Sequence, residues 1–128
     1  MRKSIEFIQI HYVGWPDFGA PTDPEPIISL VKEMRRMIAT TKKSEKINVL
    51  VHCSAGVGRT GTLITLYKMM ETLDSQLHNE DENGDIPDIS IDIFNTVFQF
   101  RSKRTLMVSL IQFKILLFVQ IFFVYFNA

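Results

Sequence analysis

Residues 4–13 alternate apolar and polar positions, with Ile5, Phe7 and Ile8, Ile10 and Tyr12 on the apolar side. That is the two-residue period of a strand. Across residues 14–21, GWPDFGAP, two glycines and two prolines break the pattern and predict a loop. Thr22 or Asp23 is placed to cap a helix with Pro24 in its first turn. Ile27, Leu30, Val31, Met34 and Ile38 then recur at the spacing of one helix face. A polar connector, residues 42–46, leads to INVLVH at 47–52, nearly all apolar and rich in branched side chains. Such a run suits a strand covered on both faces, as in a parallel sheet. Beyond a glycine-containing loop, Leu63, Leu66, Tyr67, Met70, Leu73 and Leu77 return to helical spacing. Residues 78–88 are acidic and polar, an expected exposed loop. A third helix is expected from near Ser90 to about Arg101, presenting Phe94, Val97 and Phe98. The succession helix, strand, loop, helix predicts an α/β fold, a central mixed or parallel sheet flanked by helices.

The C-terminal stretch changes this picture little. Residues 110–126 are strongly apolar, but Gln112, Lys114 and Gln120 interrupt them. The uninterrupted runs fall short of the ~20 residues of a membrane span. A packed terminal helix or tail over residues 111–128 is therefore preferred to a membrane anchor, and residues 1–110 form the domain proper. At 128 residues the chain is one domain at most. Its formal net charge is zero, which removes the electrostatic case for nucleic acid or an anionic membrane surface. There is one cysteine, so no internal disulfide forms, and His11, His52 and His78 do not fall at metal-ligand spacing. No metal site is expected. The N-terminus lacks the apolar core and cleavage site of a secretory signal, which makes a cytoplasmic setting the default.

Candidate chemistry concentrates in VHCSAGVGRTG, residues 51–61. Gly56, Gly58 and Gly61 spell the G-x-G-x-x-G of a dinucleotide cradle, and the same loop half matches a P-loop. The dinucleotide pattern also needs a second strand ending in an acidic residue about 20 positions on, where this chain is a polar loop. The P-loop needs a lysine where Thr62 stands. Both nucleotide readings are weak. A thiol reading accounts for more residues. A loop entering a helix presents unpaired N–H groups at the positive end of the helix dipole. Glycines at 56 and 58 let those groups converge on an anion. Arg59, six positions after Cys53, adds a fork of donors suited to phosphate oxygens. Cys53 at the mouth of such a site has its thiolate favoured.

H-C-x5-R-T-G after an apolar strand, with Trp15-Pro16-Asp17 about 36 residues upstream, resembles the protein tyrosine phosphatase catalytic domain. YVGWPDFGAP resembles that family's movable acid loop, here residues 14–21. VHCSAGVGRTG resembles its signature loop, here 52–61, and RSKRTLMV at 101–108 resembles its R-x-x-R-x-x-M-V segment. The resemblance implies a cysteine-phosphatase type of α/β fold and hydrolysis of phosphotyrosine in protein substrates, without metal or organic cofactor. It implies that Cys53 attacks phosphorus to form a cysteinyl-phosphate. Arg59 and the backbone N–H groups of Ser54, Ala55, Gly56, Val57, Gly58 and Arg59 would hold the phosphoryl oxygens. Asp17 would be the general acid and then base, carried on a loop shaped by Trp15 and Pro16. Thr60 would assist loss of the thiolate, and His52 would help hold it.

Two departures follow from the same comparison. Residues 1–110 correspond to the C-terminal half of the usual domain, without the substrate-recognition loop and several sheet strands. The alternative reading is accordingly a non-catalytic phosphate- or phosphotyrosine-binding fragment, and a cytoplasmic portion of a receptor-type protein also fits. After Met107-Val108 the family continues Q-T-x-x-Q-Y, with a glutamine orienting the hydrolytic water. Here Ser109 stands at the first glutamine position and Gln112 near the second. Those two are the candidates for water positioning, and slow turnover with accumulating phosphoenzyme is the expected symptom.

Overall fold

The computed structural model describes residues 4, 6–16, 19–41, 47–77 and 89–109. Asp17, the polar connector 42–46, the acidic loop 78–88 and the tail 111–128 with Gln112 lie outside the described residues. Among the described residues three helices appear in chain order: α1 (Glu25–Thr40), α2 (Gly58–Leu77) and α3 (Ile93–Lys103).

Asp23 starts α1, its Oδ1 accepting from the N–H of Glu25 at 3.0 Å, while the carbonyl of Pro24 accepts from Ile27 and Ile28. Pro26 sits in the first turn, where its missing N–H removes no helical bond. Ile27, Ile28 and Val31 are buried, and Leu30, Met34 and Ile38 only half-buried. The buried stripe is thus rotated toward Ile28 from the one the spacing predicts. Asp92 caps α3 by accepting from the N–H of Asn95 at 2.8 Å, a local contact worth about 1 kcal/mol.

α2 packs against both α1 and α3. Its Leu66, Met69 and Met70 join Ile27, Ile28 and Val31 on one side and Ile93, Val97 and Val108 on the other in a single apolar cluster. Burying one such side chain contributes about 1.5–3 kcal/mol. Thr62 and Thr65 are fully buried in the same helix. Their hydroxyls donate to the carbonyls of Gly58 and Gly61, which satisfies them one turn back. At the far end of α2 the side chain of Gln76 both donates to the carbonyl and accepts from the N–H of Ser90. That pair of bonds joins the end of α2 to the approach to α3.

Two expectations are corrected. The predicted α/β fold with a central mixed or parallel sheet is not present, because the described residues contain three helices and no strand. Residues 6–13 and 47–52 are irregular, and neither makes a backbone hydrogen bond with another described residue. A strand exists only when a neighbouring backbone takes its N–H and C=O groups, and no described backbone does so for either segment. Val49 and Val51 line an apolar groove of about 320 Å³ with Met34, Ile38, Leu63, Ile64 and Tyr67. Leu50 and Phe7 are more than four-fifths exposed. The alternation in these segments is real, but alternation alone supplies no partner.

The second correction concerns α3. Phe94 and Phe98 stack on each other with ring centroids 6.5 Å apart, yet they are 72% and 62% exposed. Of the three expected residues only Val97 is buried, and Ile93 shares that face.

Candidate active site

The irregular segment 47–52 delivers Cys53 to the bend 54–57, and α2 begins immediately afterwards at Gly58. The first N–H groups of a 20-residue helix therefore open toward this bend without intrahelical partners. Gly56 turns the chain with φ 69°, a left-handed conformation that a Cβ would strain. Its N–H then points back and donates to Cys53 Sγ at 3.2 Å.

Cys53 is a free, half-buried thiol. Burial pushes its pKa up, but the Thr60 hydroxyl and the N–H groups of Thr60, Gly56 and Val57 outweigh that and bring it down to about 7. The lowering comes from oriented donors, the hydrogen-bonding route to a stabilised anion. The Thr60 hydroxyl is buried and has no hydrogen-bond partner among the described residues. It is near enough to favour a sulfur anion but not aligned as a bond in this arrangement. It is a buried donor in reserve beside the sulfur.

Arg59 is half-buried, and its Nη2 donates to the carbonyl of Pro16 at 3.3 Å. This contact joins the expected acid loop to the expected signature loop across 43 positions of sequence. Trp15 anchors the acid-loop side. Its Nε1 donates to the carbonyl of Gly19 at 3.3 Å, and its ring meets Tyr12 edge-on at 6.4 Å. Asp17 follows Pro16 in the sequence and lies outside the described residues. His52, Ser54 and Ala55 are exposed; Gly56, Val57 and Gly58 are half-buried; Ser109 is exposed.

Sequence reasoning passed over what stands behind the loop. The cluster at 101–104 reads by composition as solvated surface, yet two of its arginines brace the site. Arg101 donates through Nε to the carbonyl of Met107 at 2.8 Å and through Nη2 to that of Val108 at 2.6 Å. Arg104 reaches the carbonyl of Ala55. Only the R-x-x-R-x-x-M-V spacing signalled that these residues belong with the loop. Together these contacts place a thiol with a pKa of about 7 beside the N–H groups of Gly56, Val57 and Thr60 at the start of α2.

The family model described as protein-tyrosine phosphatase matches residues 1–121. The chain is 38% identical over 103 residues to tyrosine-protein phosphatase 69D of Drosophila melanogaster, covering 80% of this chain and 6% of that protein. It is 36% identical over 100 residues to receptor-type tyrosine-protein phosphatase epsilon of Rattus norvegicus, covering 78% and 12%. Phosphatidylinositol phosphatase PTPRQ of Rattus norvegicus is 35% identical over 100 residues, covering 78% and 4%. The chain thus spans a small part of the length of each of these relatives.

Proposed function

Because the chain belongs to the protein-tyrosine phosphatase family, we propose that it carries the nucleophile and phosphate cradle for hydrolysis of phosphotyrosine in proteins. One observation supports this above the others: Cys53 Sγ receives the Gly56 N–H of its own loop at the start of α2. Its pKa of about 7 makes about half the sites thiolate at neutral pH.

In the proposed reaction the Cys53 thiolate attacks phosphorus, an S–P bond forms and the bond to the tyrosine oxygen breaks. Asp17 gives its proton to that oxygen. Amides of residues 54–59 and the Arg59 guanidinium take up the charge on the phosphoryl oxygens. Water then attacks phosphorus, Asp17 accepts its proton, and the S–P bond breaks to return thiolate and phosphate. The buried Thr60 hydroxyl is the donor in reserve for the departing sulfur. His52 would help hold the thiolate. Ser109 and Gln112 are the residues proposed to position the water. No metal or organic cofactor enters these steps. A nucleophilic thiolate needs a reducing compartment, which favours a cytoplasmic site of action.

The test is turnover of a small aryl phosphate by wild type, Cys53→Ser and Asp17→Ala. Loss of activity in Cys53→Ser and a 10²- to 10⁴-fold fall in Asp17→Ala are expected. A burst of aryl product before a slow steady state would locate the limiting step in hydrolysis of the intermediate. Activity that survives in Cys53→Ser would overturn the nucleophile assignment. Phosphate binding without turnover would favour a non-catalytic binding fragment.

A further inference from the structure

The turn after α3 holds two non-glycine residues in the left-handed region, Leu106 with φ 65° and Val108 with φ 61°. A β-branched residue in that conformation persists only where its surroundings over-determine it. Here the surroundings are the two Arg101 bonds to the carbonyls of Met107 and Val108. A third bond runs from the N–H of Val108 to the carbonyl of Val57 at 3.2 Å. The same carbonyl also accepts from the N–H of Gly61 at 3.0 Å. One turn upstream, Arg104 Nη2 donates to the carbonyl of Ala55 at 3.4 Å. It lies so close that a Cβ on Gly56 would meet it at 3.1 Å.

Ala55 and Val57 are alternate residues of the loop, and both carbonyls are engaged by this one turn. A trans peptide unit is planar, with its C=O and N–H pointing in opposite directions. The carbonyl of Ala55 shares its unit with the N–H of Gly56. Holding that carbonyl against Arg104 therefore aims the Gly56 N–H the other way, onto Cys53 Sγ, where it is found at 3.2 Å. In the same manner, holding the carbonyl of Val57 aims the N–H of Gly58.

From this geometry we propose that Arg104 is a positioning residue of the phosphate cradle: by gripping the carbonyl of Ala55 it turns the Gly56 amide toward the sulfur and toward a bound phosphoryl oxygen. The proposal rests on the function proposed above. It adds a residue that touches neither the sulfur nor the anion and acts through the peptide plane between them.

The experiment measures alkylation of Cys53 by iodoacetamide against pH, and protection from alkylation by inorganic phosphate. Wild type, Arg104→Met, Arg104→Lys and the neighbouring Lys103→Met are compared, with a thermal melt of each. In Arg104→Met the alkylation midpoint is expected to move upward and phosphate protection to weaken about 3- to 10-fold, the net worth of one typical hydrogen bond. Arg104→Lys is expected to fall between Arg104→Met and wild type, and Lys103→Met to match wild type. An Arg104→Met protein that melts like wild type and keeps both its midpoint and its phosphate protection overturns the proposal. Should Arg104→Met fail to melt cooperatively, Arg104→Lys decides, and an unmoved midpoint there overturns it equally. Absence of phosphate protection in wild type would instead count against the proposed function, and the alkylation midpoints would still judge Arg104.

Discussion

Replacing Gly61 with alanine tests the physical link between helix α2 and the reactive loop. Gly61 is buried in the first turn of α2. A Cβ there would lie 2.7 Å from the backbone N of Val108, 3.1 Å from its Cγ2 and 3.4 Å from the carbonyl carbon of Met107. The nearest atom is backbone in a turn already held by Arg101, so it cannot swing aside as a flexible side chain would. Overpacking of this kind costs about 2–3 kcal/mol. Alanine recovers about 1 kcal/mol of helix propensity over glycine. The net expectation is a loss of about 1–2 kcal/mol, or a melting temperature lower by about 4–8 °C for a chain of this size. The displaced Val108 N–H also leaves the carbonyl of Val57, so the loop should loosen with the fold. Thermal melts with Cys53 alkylation on the same samples provide the assay. A melting temperature for Gly61→Ala that rises by a few degrees, the propensity gain alone, would refute the reasoning, as would an unaltered alkylation rate beside a lowered melt.

Other outcomes follow from the same geometry. Alkylation of Cys53 should show a midpoint near pH 7. At pH 6 the rate should exceed that of an ordinary thiol by roughly sixfold, after allowing for the weaker nucleophilicity of a low-pKa thiolate. Because the folded pKa is depressed, the associated stabilisation is present above the unfolded thiol's pKa and is lost as pH falls through about 7. Thr60→Ala removes a donor that lowers the thiol and should move that midpoint upward, while the backbone N–H groups keep it below the ordinary value; an unmoved midpoint would exclude the hydroxyl. Asp92→Ala should cost about 1 kcal/mol, read as a drop of about 4 °C in the melt, through loss of the cap on Asn95. Phe98→Ser should change stability by less than about 0.5 kcal/mol and Val97→Ala by about 2 kcal/mol, the reverse of what ring size alone suggests, and denaturant unfolding of both would check it.

The reactive loop was legible in the sequence because its parts are close neighbours. Cys53, the two glycines and Arg59 fall within seven residues, so their spacing already states which groups can face one anion. Helices were legible for a similar reason. Intrahelical bonds span four residues, and Asp23 marks the start of α1 locally, whereas α3 begins at Ile93 behind Asp92 and not near Ser90 as expected. The bracing of the loop was not legible from composition. Arg101 and Arg104 look like surface charge until their reach to Val108 and Ala55 is seen.

The amino-acid order alone placed a thiol beside the amides of its own loop and located the three helices to within a few residues, since both depend on contacts only a few residues long. Tertiary structure alone decided the rest. Whether residues 6–13 and 47–52 become strands depends on a second backbone lying alongside. Whether Val97 or Phe98 faces the core depends on which side α2 occupies. Which carbonyls the turn at 104–108 holds depends on groups some 50 positions apart. Those are long-range pairings of partners, and hydrophobic alternation or charge spacing within one segment says nothing about the other member of the pair.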